Sequence, residues 1–280
     1  MKILYLDCSM GAAGDMLTAA LLELFTDSDA IMTELNGLGI PKVQFCRERV
    51  SKCGIQGTHI SVKVNGVEEA VQEEHEHQHS HSHDKEHEHH HHHHEEHTHG
   101  EEHHHQAHHH RHMSDIQKIV SDLPVSSKVK EDVIAVYHLI GEAESHAHGV
   151  PVTEIHFHEV GTMDAVADVT AVCYLMEKLS PEKVAVSPIH VGSGQVKCAH
   201  GILPVPAPAT AYILQDVPIY GGSIRGELCT PTGAALLKYF ATDFGSMPMM
   251  KASAIGYGMG KKDFEAANCV RAMIGESYDL

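Results

Sequence analysis

No window of this 280-residue chain approaches 18 uninterrupted apolar residues, so no membrane-spanning helix is expected. The opening run, Met1 to Asp7, is too short and too soon interrupted by Asp7 to read as a signal peptide, and the expectation is a cytoplasmic chain with no membrane partner. None of the seven cysteines (Cys8, Cys46, Cys53, Cys173, Cys198, Cys229, Cys269) falls in a CxxC pair. An odd, dispersed set reads as reduced thiols, not as a disulfide framework. Positive charge is short as well: 20 Lys and Arg stand against 38 Asp and Glu, a formal charge of −18. That balance argues against nucleic acid and anionic membranes as partners. There is no GxSxG, and no Cys lies close in sequence to a His with an Asn or Asp, so no nucleophile is evident.

Histidine, in contrast, is concentrated. Between His75 and His112 the chain places 21 of its 29 histidines in 38 positions. The dense runs are His89, His90, His91, His92, His93 and His94, then His103, His104, His105, His108, His109 and His110. Imidazole is a neutral nitrogen ligand at pH 7 and suits nickel, zinc, copper and cobalt. Eight acids, among them Glu95, Glu96, Glu101 and Glu102, oppose only Lys85 and Arg111 in this stretch, and its one apolar residue is Ala107. Such a segment cannot bury a core and is expected to stay disordered without metal. A purification tag would sit at a terminus and be regular; this run is internal, irregular and mixed with Glu. Which of these metals it carries is not legible from the run alone. Protonation below about pH 6 would release the ion.

The remaining sequence alternates strand and helix patterns, which predicts an α/β fold with a mixed sheet, flanking helices and a disordered His-rich insertion. At 42% hydrophobic content the chain can bury a proper core. Three parts are expected: an N-terminal α/β part over 1–70, the insert over 71–112, and an α/β part over 113–280 that continues the same domain or forms a second one. Ile3 to Leu6 suits a buried strand, with Asp15 placed to N-cap the helix that follows Gly11 and Gly14. Further helices are predicted near 29–38, 113–120, 128–146, 162–179, up to Gln215, and from Thr230 to Phe240, with Thr230 as N-cap and Pro231 at the first helical position. Strands are predicted over 43–64 with a turn at Cys53-Gly54, at 184–186, around Gly192-Ser193-Gly194, at 252–257 and at 269–274.

Four local constellations could carry chemistry. His156, His158 and Glu159 precede Asp164 and Asp168. In extended chain His156 and His158 would share one side about 7 Å apart, and the two aspartates would share a helix face. This mixed N/O set suits a first-row ion; the bland alternative is a core histidine beside a solvated helix face. His190 and His200 flank the glycine turn, and a hairpin there would bring them within reach of one another, with Cys198 as a potential soft ligand. The loop Gly11, Gly14, Asp15 sits between a strand and a helix start, where free amides attract anions. It lacks both GK[ST] and a third dinucleotide-fingerprint glycine, so a phosphate there would need a cation between it and Asp15 and Asp7. Thr230, Thr232 and Gly233 open a second candidate anion site, whose plainer reading is a helix cap.

Taken together, Tyr5-Leu6-Asp7, Gly11 to Met16, His156 to Gly161 with Asp164, Gly192 to Gly194, His200 to Thr210, and Gly226 to Ala235 resemble the LarC-type nickel-insertion proteins of nickel-pincer cofactor biosynthesis. The matching stretches span the chain outside the insert, in family order. The resemblance implies a nickel chelatase, a lyase in class, that loads Ni(II) into pyridinium-3,5-bisthiocarboxylic acid mononucleotide for lactate racemase-type enzymes, consuming CTP with Mg or Mn. It implies a transfer site of His156, His158, Glu159, Asp164 and His200, and a substrate site of Asp7, Gly11, Gly14, Asp15, Thr230, Thr232 and Gly233. Family members continue past Cys269–Ile274 into a C-terminal domain associated with CTP, whereas this sequence stops at Leu280. The expected partners are therefore the mononucleotide, a separately encoded C-terminal half and the enzyme that receives the cofactor, with homo-oligomerisation left open. Two competing readings are a nickel or zinc storage protein without catalysis and a metal-dependent hydrolase built on the HxHE cluster.

Overall fold

The apolar run Ile3–Leu6 forms the buried strand its composition predicts, β1 (Lys2–Asp7), with Leu4 wholly buried and Ile3 nearly so. In the computed structural model, residues 1–68, 111–157, 159–198 and 201–278 are described. After β1 come α1 (Gly14–Leu22), α2 (Ser28–Asn36), β2 (Val43–Lys52), β3 (Ile55–Val64) and β4 (Val67–Glu68). Beyond residue 110 follow α3 (Met113–Asp122), α4 (Ser127–His148), α5 (Met163–Leu179), β5 (Lys183–Val186), β6 (Ile189–His190), β7 (Gly192–Ser193), β8 (Gln195–Cys198), β9 (Gly201–Pro204), α6 (Pro208–Ile213), β10 (Ile219–Tyr220), β11 (Gly226–Glu227), α7 (Pro231–Phe240), β12 (Asp243–Phe244), β13 (Met250–Met259) and β14 (Cys269–Ser277).

The main sheet runs β12-β5-β1-β14-β13-β3-β2, with β4 paired to β3. It is mixed, as the alternating pattern predicts. β1 lies parallel to β5 and antiparallel to β14, while β13 runs antiparallel to β14 and parallel to β3. Strands from before and after the insert thus interleave in one sheet, and residues 1–69 with 109–280 form one compact unit; the second unit, 70–108, lies outside the described residues.

Helix α1 is the centre of the core. Eight of its nine residues are buried, which marks a helix packed on every side instead of one with a solvent face. It meets β13 with no side chain between the backbones: a Cβ added to Gly258 would sit 1.8 Å from the Met16 carbonyl oxygen, and one on Gly256 2.2 Å from that of Ala20. α5 packs on the other side of α1, and α4 on α5. The apolar positions of α4 read from helical spacing, Val129, Val133, Val136, Ile140 and Ala143, are all completely buried. Tyr137 joins them and donates to the Val160 carbonyl at 3.1 Å. Asp132, buried on the same helix, accepts from Tyr239 of α7 at 2.6 Å and pairs with Lys128, so its charge is matched. No helix among the described residues is long and apolar enough to cross a membrane.

Two local expectations are corrected. Asp15 does not cap α1: the cap is Ala13, with no side-chain bond, and Asp15 lies in the first turn, its carboxylate accepting from the Met16 amide at 2.8 Å. The glycine turn does not fold into one hairpin either. Gly192 and Gly194 both take left-handed φ values (88° and 83°), so the chain turns twice. Each short piece then pairs elsewhere: β6 with β10, β7 with β11, β8 with β9. The cap at Thr230 is as expected, its hydroxyl accepting from the Gly233 amide at 3.1 Å with Pro231 next.

Because α1 and β13 touch through backbone, Gly258→Val should lower the unfolding free energy by about 2–4 kcal/mol, read from urea midpoints at constant m-value. Gly245→Ala, where an added Cβ meets nothing within 4 Å, should stay within about 0.5 kcal/mol of the unaltered chain. Equal effects at the two positions would contradict the contact.

Candidate functional site

The site gathers at the end of the sheet where β1 and β13 finish, the usual place for ligands in open α/β sheets. Two predicted segments meet there. The loop after β1 and the start of α7 are strapped together: Ala12 N–H donates to the Leu228 carbonyl at 3.0 Å, and Thr230 N–H to the Ala12 carbonyl at 3.0 Å. Gly11 N–H closes the loop on the Cys8 carbonyl at 3.0 Å. The anion site expected at Gly11, Gly14 and Asp15 and the one expected at Thr230, Thr232 and Gly233 are therefore neighbours. Asp7 is turned to Arg271, at 2.6 Å, and to the Ser9 amide.

The start of α1 already faces a carboxylate from within the protein. Asp168 of α5 lies over Gly14: a Cβ there would be 2.6 Å from its Oδ2. Asp168 is buried, and its Oδ1 has no hydrogen-bond partner. Burial foremost, then the charges of Asp164 and Asp15, push its pKa well above the usual carboxylate range. Asp15 is raised too, chiefly by burial, with the Met16 amide, His59 and Lys261 opposing. His59 is held by the Met259 carbonyl at 2.9 Å from a ring nitrogen. The four-residue spacing of Asp164 and Asp168 signalled this pair; nothing in the sequence signalled that Asp15, 153 positions upstream of Asp168, would complete it.

The histidine segment is extended at Ile155 after a 3-10 turn over Val152–Glu154, with Ile155 and Phe157 buried and His156 exposed between them. Its backbone is clamped by the last residues of the His-rich run: Phe157 N–H donates to the Arg111 carbonyl at 2.8 Å, and the Arg111 guanidinium donates to the Gly161 carbonyl at 2.6 Å. The next residue, His112, sets its ring against that of His156, centroids 4.1 Å apart. Glu159 is exposed beside them, and Asp164 opens α5, whose N-cap is Thr162. His158, His200 and the metal-site residues His89, His90, His91, His92, His93, His94, His103, His104, His105, His108, His109 and His110 lie outside the described residues. His190 is a core histidine: its ring nitrogens lie 3.0 and 2.9 Å from the Ser9 and Gly221 carbonyl oxygens, and it stacks on Tyr220.

All seven cysteines are free. Cys8 and Cys229 are buried, and burial foremost pushes both thiols up. Glu227 lies three residues before Thr230. It proves half-buried between Lys262 and Glu159, and burial foremost, opposed by Lys262 and reinforced by Glu159, raises its pKa from 4.5 to about 7. Among the described residues, no three His, Cys, Asp or Glu side chains converge to enclose a metal ion. What the described residues offer is a pair of imidazoles in ring contact, His112 and His156. Open sites exchange ligands readily; closed ones do not.

Fold and site together define an α/β protein with a mixed sheet that presents the exposed imidazole of His156 against the half-buried one of His112. The chain belongs to the nickel insertion protein family, which it matches over residues 4–279. It is 38% identical over 279 residues to the pyridinium-3,5-bisthiocarboxylic acid mononucleotide nickel insertion protein of Desulfitobacterium hafniense (strain DSM 10664 / DCB-2), covering 100% of this chain and 60% of that protein. Proteins of the same name from Geobacillus kaustophilus and Clostridium kluyveri are each 38% identical over 277 residues, of which this chain spans 60% and 62%. The chain thus spans about three-fifths of the curated relatives it matches. No solved structure matches it.

The raised Glu227 sets a pH dependence. A carboxyl whose pKa is higher in the folded state adds stability that is complete below about pH 4.5 and is lost as pH climbs through about 7. Glu227→Gln removes that loss. Its melting temperature should match the unaltered chain at pH 4 and exceed it at pH 8, and the opposite ordering at pH 8 would refute the assignment.

Proposed function

We propose that this chain collects Ni(II) and delivers it to pyridinium-3,5-bisthiocarboxylic acid mononucleotide, forming the nickel-pincer cofactor of lactate racemase-type enzymes. The reading is a nickel chelatase, lyase in class, acting in the cytoplasm. The observation that carries it is the Arg111–Phe157 bridge, which fixes the last residues of the His-rich run, Arg111 and His112, against the exposed imidazole of His156. In this scheme the run at 71–112 gathers Ni(II) and raises its concentration at the His112–His156 pair. His158, Glu159, Asp164 and His200 belong to the same transfer site. Two imidazoles leave most of the coordination sphere of a bound ion open, and the soft thiocarboxylate sulfurs of the acceptor can then displace them one at a time. Asp7, Gly11, Gly14, Asp15, Thr230, Thr232 and Gly233 border that site, where the reacting end of the mononucleotide is brought to the ion.

The start of α1, where a phosphate would meet free amides, faces the Asp168 carboxylate instead. We place CTP, with Mg or Mn, on the C-terminal part of the relatives that this chain does not span. The enzyme that receives the cofactor is the remaining partner.

The density of imidazoles also supports a second reading, storage of nickel or zinc without catalysis. Single-turnover nickel transfer, supplied with CTP, Mg and the C-terminal half, separates the two. His156→Ala and His112→Ala should slow transfer roughly 10- to 100-fold. Deletion of residues 73–108, which spares Arg111 and His112, should slow it only when nickel is scarce. Transfer unchanged in His156→Ala removes the assigned site, and no transfer at any nickel concentration leaves storage.

A further inference from the structure

A second feature lies beside this site. A cleft of about 650 Å³ opens between the loop Ser223-Ile224-Arg225 and the loop Asp263-Phe264-Glu265. Both walls are pinned by bonds the chain makes for no other evident purpose. On one side Ser193 donates its hydroxyl to the Ile224 carbonyl at 2.8 Å, and Arg225 bridges to Ser193 through backbone. On the other, Lys52 donates to the Lys262 carbonyl at 2.9 Å and pairs with Asp263, while Asn268 donates to the Lys262 carbonyl at 2.8 Å. The Cys53 thiol meets the Glu265 carbonyl at 3.5 Å. A pocket with fixed walls loses little ordering entropy when it is filled, which is how ligand sites are usually built.

The lining is chemically mixed in an informative way. Arg225 has no carboxylate partner among the described residues, so its guanidinium is free for an anion and can bind a phosphate through two donors at once. Asp263 is neutralised by Lys52, so it does not repel such an anion strongly. Phe264, half-buried, offers an aromatic face, and Glu265 beside it is exposed. An aromatic face next to a carboxylate favours a flat, positively charged ring. The cleft also leads to the transfer site: Glu227 lies two residues from Arg225 and within electrostatic reach of both Lys262 and Glu159.

We propose that this cleft seats a pyridinium mononucleotide, with Arg225 taking the phosphate and Phe264 and Glu265 lying against the cationic ring. The proposal rests on the nickel-insertion reading for the direction in which the ligand points: the ring is presented past Glu227 toward Glu159 and His156. It adds to that reading a specific seat, and it makes Arg225 and Phe264 the residues that select a ribosylated pyridinium bearing one phosphate.

Titration calorimetry on the full chain tests it, with nicotinic acid mononucleotide as a stable pyridinium mononucleotide, its phosphate-free riboside, and AMP as a nucleotide without a cationic ring. The unaltered chain should bind nicotinic acid mononucleotide more tightly than either control. Arg225→Gln should weaken that binding at least tenfold while leaving the riboside unchanged. Phe264→Ala should weaken both pyridinium ligands. Arg225→Gln alters an exposed side chain, so it keeps the test decisive if Phe264→Ala unfolds. No binding of the probe by the unaltered chain, binding unaffected by Arg225→Gln, or AMP bound as tightly as the probe would each overturn the proposal. If the probe ignores both variants while His156→Ala still halts nickel transfer, the cleft falls and the insertion reading stands. If transfer ignores His156 while Arg225 still governs the probe, the cleft stands alone.

Discussion

The fold turns on one contact, the direct seating of α1 on β13. With glycines at 256 and 258 the helix backbone comes down onto the strand, and the rest of the core closes over it through α5 and α4. The same contact decides where the chemistry goes. It fixes the start of α1 at the end of the sheet, which puts Asp15 near His59 and brings Gly14 under Asp168. A side chain between α1 and β13 would lift the helix and scatter these groups. Close backbone packing of this kind tolerates little change, because an interior packed to crystal density has nowhere to send a displaced atom.

The second theme is where charge is tolerated. Asp168, with an unpartnered oxygen and two acidic neighbours, is held in an environment that favours its neutral form, whereas Asp132 is matched by Lys128 and Tyr239. Buried carboxylates that are matched serve packing; an unmatched one more often marks a working region. Asp168 lies over Gly14 at the start of α1, and Asp132 lies on α4, which packs on α5. Acidity is thus sorted between structure and site, in a chain whose formal charge is −18.

Much of this architecture could be read from the residues. The hydrophobic stripe of α4, the hairpin turning at Cys53-Gly54, the cap at Thr230 and the late strands all follow from local rules that the fold obeys. The errors came where the outcome depends on distant residues. Asp15 looked like a cap because capping is a local habit, yet the start of α1 is met by Asp168 from another helix. Gly192 to Gly194 looked like a hairpin because tight turns usually join neighbours, yet its partners are β10 and β11, some 30 residues on. The site was half visible for the same reason. His156 and Glu159 lie within one motif, but His112 meets His156, and Glu227 comes within electrostatic reach of Glu159, only through tertiary structure.

Residues 1–68 and 111–278 complete the sheet between them, with β4 secured to β3 and Arg111 to Phe157. The free energy of closing a connection between two such fixed points rises only with the logarithm of its length, about 0.6 kcal/mol for each doubling. Repeats of His and Glu could therefore be gained or lost here over many generations with almost no penalty to folding. Under the proposed function, the capacity of the run for nickel would change with its length while the sheet that borders it stays as it is.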